Sequence, residues 1–239
     1  MKDIKRAMEI EKEYQMHRLN GELPFVLADK MKEYGFETLG EYFDAKRDYN
    51  FDSLNFNVVE TTPLKAIGEV LNAIATKQPT VIMVDIEQTV VWPRKNAEYN
   101  EGYCIENNIP ILHIPSAGNG TLVSLAGDWG VGICVPKMNG VSYEYILDGF
   151  VKIFRRYTDK TVKNEGNDIM VDDKKVCGFA FFETPDVIMA ISPVSIVEKS
   201  ELISKICLKK QQKIPSHIDF MDRETLKQEV SKWLSIQYT

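Results

Sequence analysis

Histidine is scarce in this chain: His17, His113 and His217 are the only three in 239 residues. The four cysteines, Cys104, Cys134, Cys177 and Cys207, stand far apart and form no Cys-x-x-Cys pair. No metal-ligand cluster can be written from so few soft or imidazole ligands. An excess of positive charge is also missing. Twenty-nine Lys and Arg face 35 Asp and Glu, for a net charge of −6 and a pI of about 5.3. That balance argues against a broad basic face for nucleic acid or an anionic membrane surface. No apolar run approaches membrane-spanning length. The opening MKDIKRAMEIEKEYQ lacks the apolar centre of a secretory leader. The expectation is a cytoplasmic protein with reduced thiols, with neither nucleic acid nor membrane as partner.

What is present reads as an ordinary globular chain, 44% hydrophobic and 27% charged. Residues 1–50 read as three helices: one to Leu19, stopped by Asn20-Gly21, one over Leu23–Tyr34, and one over Thr38–Tyr49. Thr38 with Glu41 makes a capping box. Their apolar sides look too narrow for a core of their own, so this N-terminal helical extension is expected to pack on the remainder or on a second copy. From Phe51 on, the pattern changes. Strands are predicted over 56–61, 80–84, 89–92, 109–114 and 187–191, and helices over 63–76, 97–107, 142–157, 200–212 and 223–237. Leu122–Leu125 and Gly130–Val135 read as a strand pair turning at Gly127-Asp128. Short turns alternate with helices, which predicts an α+β class: a mixed β-sheet packed by helices, occupying residues 51–239 as one domain.

Three stretches could carry chemistry. In PSAGNGT, Gly118 and Gly120 around Asn119 let a backbone approach a ligand. The stretch matches neither GxxxxGK[ST] nor GxGxxG, and a tight turn is the simpler reading. In GNDIMVDDKKVCGFAFFET, Asn167 and Asp168 face Lys174 and Lys175 across a turn. Strand alternation would put Lys175 on the face of Cys177 and Phe179, partly desolvated and able to meet a carboxylate or phosphate. A solvated turn explains the same lysines, and Cys177 reads as structural because no base is within sequence reach. In TVVWPRKNAEYN, Arg94 and Asn96 follow a strand end, where polar side chains can line a pocket.

In this order, QTVVWPRKNAEYNEGYCIENNIPILHI, SAGNGTLVSLAGD and GNDIMVDDKKVCGFAFFET resemble the catalytic domain of lipoate–protein ligases, shared with octanoyltransferases and biotin–protein ligases. The family form N-D-[IL]-x-V-x-x-x-K-[IV]-x-G-x-A is met by Asn167, Asp168, Ile169, Val171, Lys175, Val176, Gly178 and Ala180. The resemblance runs from about Phe51 to about Ile214. It implies a mixed sheet holding an acyl-adenylate between a glycine loop and the lysine hairpin. Lys175 would contact the acyl carboxylate and α-phosphate. Gly118, Asn119 and Gly120 would floor the acyl chain, Asn167 and Asp168 would organise adenylate and metal, and Arg94, Asn96 and Gly178 would complete the binding site. The implied ligands are lipoate or lipoyl-adenylate, with ATP and Mg; the implied acceptor is a lysine of a lipoyl-carrier domain.

The sequence departs from the family where anions are held. His113, Ile114 and Pro115 replace an arginine pair, Asn119 a glycine, Ser124 a histidine and Gly166 an arginine; VIMAISPVS lacks the family's histidine. The residues after the hairpin are too few for an accessory domain of the ligase type. Lost charge-assisted contacts predict weak nucleotide binding. Two other readings follow: a relative that binds an acyl ligand or regulates without adenylation, and an acyltransferase that draws on a carrier thioester without ATP.

Overall fold

The computed structural model describes residues 2–114, 120–137, 141–198, 200–208 and 216–234. The chain divides into two compact units, one built on Met1–Leu54 and the other on Asn55–Lys137 and Ser142–Thr239. Each is described by itself.

The first unit holds α1 (Ile4–Leu19), α2 (Leu27–Glu33) and α3 (Leu39–Asp52). Asp3 caps α1 by accepting from Arg6 N at 3.1 Å, and Thr38 caps α3 by accepting from Glu41 N at 3.1 Å. The expectation that these helices lack a core of their own is corrected. Ala7, Leu27, Met31, Phe36 and Tyr42 form a buried cluster. Around it, the Tyr42 hydroxyl donates to the buried Glu11 carboxylate at 2.6 Å, and Lys46 pairs with the same carboxylate at 2.5 Å. Three short helices with narrow apolar sides suffice because aromatic rings supply the volume; Phe36 meets Tyr42 edge-on at 5.5 Å.

The second unit begins with β1 (Asn57–Thr61), α4 (Pro63–Thr76), β2 (Thr80–Asp85) and β3 (Val90–Pro93). Then come α5 (Glu101–Glu106), β4 (Thr121–Ser124), β5 (Trp129–Pro136) and α6 (Tyr143–Arg155). The strands β6 (Val162–Glu165), β7 (Asp168–Val171), β8 (Lys174–Gly178), β9 (Ala180–Glu183) and β10 (Val187–Val194) precede α7 (Ser200–Ile206) and α8 (Arg223–Trp233). The main sheet runs β1-β2-β5-β10-β8-β7-β6, with β9 also on β10. Only β1 and β2 pair in parallel; every other pair is antiparallel. The sheet is mixed and packed by helices, as the sequence predicts. The helix between β1 and β2 has Pro at its first turn and stops where Lys77 turns left-handed, φ 58°.

Three local expectations are corrected. Leu122–Leu125 and Gly130–Val135 do become strands, but they do not pair. Instead β4 pairs with β3 in a separate two-stranded ribbon, while β5 lies between β2 and β10. Asp128 explains the divergence. Its Oδ2 takes the Leu125 N–H at 2.8 Å, and its Oδ1 takes Ile196 N and Val197 N at 2.8 and 3.0 Å. The turn is thus anchored to the end of β10 instead of closing a hairpin. Ile109–Ile114 contributes only one bridge, Val91 to Ile111. The helix expected from Ala97 starts at Glu101, because Asn100 is its cap and Tyr99 is engaged in a bridge to Cys207.

Candidate functional site

The lysine hairpin is closed by Asp172 and Asp173, both at positive φ (47° and 60°), the backbone of a two-residue turn that follows strand twist. Pairing runs Val171 to Lys174 and Met170 to Lys175, then slips by one, so that Ile169 faces Cys177 and Asp168 faces Gly178. This bulge leaves Val176 extra and offsets the alternation of side chains. Lys175 and Cys177 border one recess, but the slip also brings the Lys175 side chain over Gly178, which strict alternation would put on the other face. The ammonium of Lys175 lies over Gly178, 2.9 Å from Asp168 Oδ1. A Cβ at Gly178 would sit 2.5 Å from Lys175 Nζ and 2.7 Å from Asp168 Oδ1. Glycine leaves open the space in which the pair meets. Lys174, by contrast, is exposed beside the turn.

Beyond Gly178 the strand breaks. β10 pairs β8 near its own end and β9 along its length, and Phe179 lies between the two. The Phe179 N–H donates to Asn167 O at 2.7 Å, and the Phe179 carbonyl accepts from Arg94 Nη2 at 3.1 Å. Arg94 also donates its main-chain N–H to Gly120 O at 3.1 Å. It ties the residue entering β4 to the break after β8. Burial lowers the Arg94 pKa, and the Asp168 carboxylate opposes that shift. Asn96 is exposed in the turn after β3, and Asn167 is exposed at the turn before β7, present through its carbonyl. Gly118 and Asn119 lie outside the described residues.

Two recesses meet in this region. The first is partly open to solvent, with aliphatic walls from α4, β2 and β10, and Trp92 and Ile114 also line it. Its hydroxyls are already engaged: Trp92 Nε1 donates to Ser124 Oγ at 3.0 Å, and Ser192 Oγ donates to Pro193 O at 3.0 Å. The second is bordered by Thr121, Lys175, Cys177, Gly178, Ser195 and Cys207. Leu122 and Pro193 line both. An apolar slot therefore adjoins a chamber bordered by one ammonium, the arrangement an acid with an aliphatic tail requires. Where the resemblance leads one to expect arginines, His113 is exposed and Ile114 is buried in the wall of the apolar slot. Burial pushes the Cys177 thiol up to about 12, which leaves it a structural side chain.

Sequence reasoning missed Thr121, Pro193, Ser195 and Cys207. The first could have been found as the residue entering a strand from the glycine-containing loop. The others carry no local signal, because long-range pairing brings them in. Among the described residues no group of three or more His, Cys, Asp or Glu could hold a metal ion, and no helix is long and apolar enough to cross a membrane.

Residues 64–232, well over half of the chain, match the family model of the lipoyl protein ligase A/B catalytic domain, and the chain belongs to that family. No curated protein matches by sequence. Among solved structures, LipL1 of P. falciparum, in complex with lipoate, superposes with a TM-score of 0.61 at 16% identity, covering 77% of this chain and 65% of that one. This chain thus spans somewhat less than two thirds of that protein. A bipartite lipoate protein ligase of Thermoplasma acidophilum, studied with its E2 lipoyl domain, gives 0.62 at 15% identity, over 78% and 85% of the chains. A lipoate-protein ligase A bound with ATP gives 0.61 at 13% identity, over 78% and 87%. At such identities the likeness is one of fold.

Proposed function

We propose that this protein transfers lipoate, or a related short acyl group, to a lysine of a lipoyl-carrier domain. The observation that supports the reading is that the apolar slot and the Lys175 chamber lie side by side, with Leu122 and Pro193 lining both. The tail of the acid fills the slot and its carboxyl oxygens reach the ammonium. Negative charge grows on those oxygens both when the carboxylate is activated and when an amine attacks its carbonyl, and a placed cation stabilises it in both steps. Arg94 holds the two walls in register. On this reading ATP would be the activating co-substrate, and Asp168, the carboxylate paired with Lys175, would help to hold its Mg. Incubation with lipoate, MgATP and a recombinant lipoyl domain tests it. The expected result is one lipoyl mass increment on the acceptor lysine, lost in Lys175→Ala. An acceptor left unmodified with every acyl donor refutes it.

One observation favours a second reading. Ile114 extends the apolar wall where family members place an anion-binding arginine. A site short of cations suits an acyl group delivered as a thioester, or an acyl-binding relative that does not adenylate. Calorimetry with ATP separates the readings: nucleotide binding far weaker than in a competent ligase supports this one, and a low-micromolar Kd excludes it.

A further inference from the structure

We infer that Thr121 is a further ligand-contacting residue, its hydroxyl donating from the β4 wall to the oxygen of the acyl head group that Lys175 meets from β8. The inference rests on the acyl reading of the site. Thr121 opens β4 directly after Gly120, pairs with Pro93, and borders the same recess as Lys175 and Gly178. Its Oγ1 is shut off from water and has no hydrogen-bond partner. Arg94, adjacent across the ribbon, shows the same state: its Nε is buried and without a partner, although its Nη2 is bonded.

Buried polar groups are almost always satisfied, and leaving one unmade weakens the folded state. Valine has nearly the shape of threonine, is as well suited to a strand, and would leave nothing unpaired. A fold selected for stability alone gains nothing from this hydroxyl. An unpaired hydroxyl on the recess that Lys175 also borders is what an anionic oxygen would satisfy, since hydrogen bonds to an ionised acceptor are the strong ones. The occupant is the carboxylate or carbonyl oxygen of the acyl group. A phosphate oxygen offers similar chemistry, so the test separates the two.

The test compares Thr121→Val and Thr121→Ser with the full-length wild type, by calorimetry with lipoate alone and with AMP alone, alongside melting curves. The expected result is a melting temperature for Thr121→Val equal to or above that of the wild type, with lipoate affinity reduced about tenfold, the equivalent of about 1.4 kcal/mol. Thr121→Ser retains affinity within about twofold. Lipoate affinity unchanged in Thr121→Val overturns the assignment alone, and so does a loss confined to AMP. A wild type that binds neither lipoate nor a related short-chain acid overturns the acyl reading, and the assignment with it.

Discussion

Lys175 and Asp168 meet at 2.9 Å over a glycine, on a face that the bulge at Val176 turned toward them. The two lysines of the hairpin are thereby made unequal. Lys175→Ala should lower acyl transfer or acyl-ligand affinity by about a hundredfold or more, the usual cost of removing one group that faces a developing anion. Lys174, exposed beside the turn, should tolerate alanine with a change in stability within about 0.5 kcal/mol and unchanged acyl transfer. Carrier acylation and urea melts on both variants decide the matter; equal behaviour would return the hairpin to a solvated turn.

Gly178→Ala isolates the space over that glycine. Its Cβ would fall 2.5 Å from Lys175 Nζ, 2.6 Å from Cε and 2.7 Å from Asp168 Oδ1. The obstructed atoms are the ends of side chains, so they will swing aside and the strand will persist. Stability should change by no more than about 1 kcal/mol, the scale of a partly exposed ion pair, while acyl binding falls toward that of Lys175→Ala. In a Lys175→Ala background the added alanine should have no further effect on binding. An additive loss would show that Gly178 serves something other than the pair.

Gly149 makes the corresponding test of packing. On α6 it lies beneath the indole of Trp233 from α8, where a Cβ would stand 2.5 Å from Cε2 and 2.6 Å from Cη2. Trp233 also packs edge-on against Phe150 at 5.7 Å. Gly149→Ala should cost about 1–3 kcal/mol by overpacking, and Trp233→Leu added to it should recover part of the loss. Urea denaturation of the two variants measures both.

The thiols predict a pH dependence. Burial raises Cys177 from 9.0 to about 12 and Cys134 from 9.0 to about 11. A folded-state pKa above the unfolded one means that the folded protein holds the proton more tightly. The stability this confers is complete below about pH 9 and is lost as pH climbs toward 12. Cys177→Ala should flatten the alkaline limb of stability against pH. In the native protein at pH 8, iodoacetamide should reach the half-buried Cys207 first, and Cys104, Cys134 and Cys177 only on unfolding. Rapid labelling of Cys177 under native conditions would contradict this.

The parts of the fold legible in the sequence were those fixed by neighbours along the chain. Pro63 and the stop after Thr76 bound α4, Thr38 and Ser142 cap their helices, and Asp172-Asp173 turns the hairpin. What escaped depends on distant partners. β6, VKNE, carries no alternation because it is a polar edge strand whose order comes from β7. The slip at Val176 has no residue signature, so alternation could not show that Lys175 lies over Gly178. The glycine-containing loop and the hairpin could each be suspected separately; that Leu122 and Pro193, far apart in the chain, would both line the two recesses could not.

Those two residues constrain how such a site can diverge. Leu122 and Pro193 line both the apolar slot, which on the proposed function takes the tail, and the Lys175 chamber, which takes the reactive end. A substitution that shortens or widens the slot at either position also shifts the boundary of the charged chamber. Tail preference and reactivity are therefore inherited together at this seam. On that proposal, a lineage that changes its acyl group independently of its chemistry must do so at residues such as Ile67 and Val70 of α4, which border the slot alone.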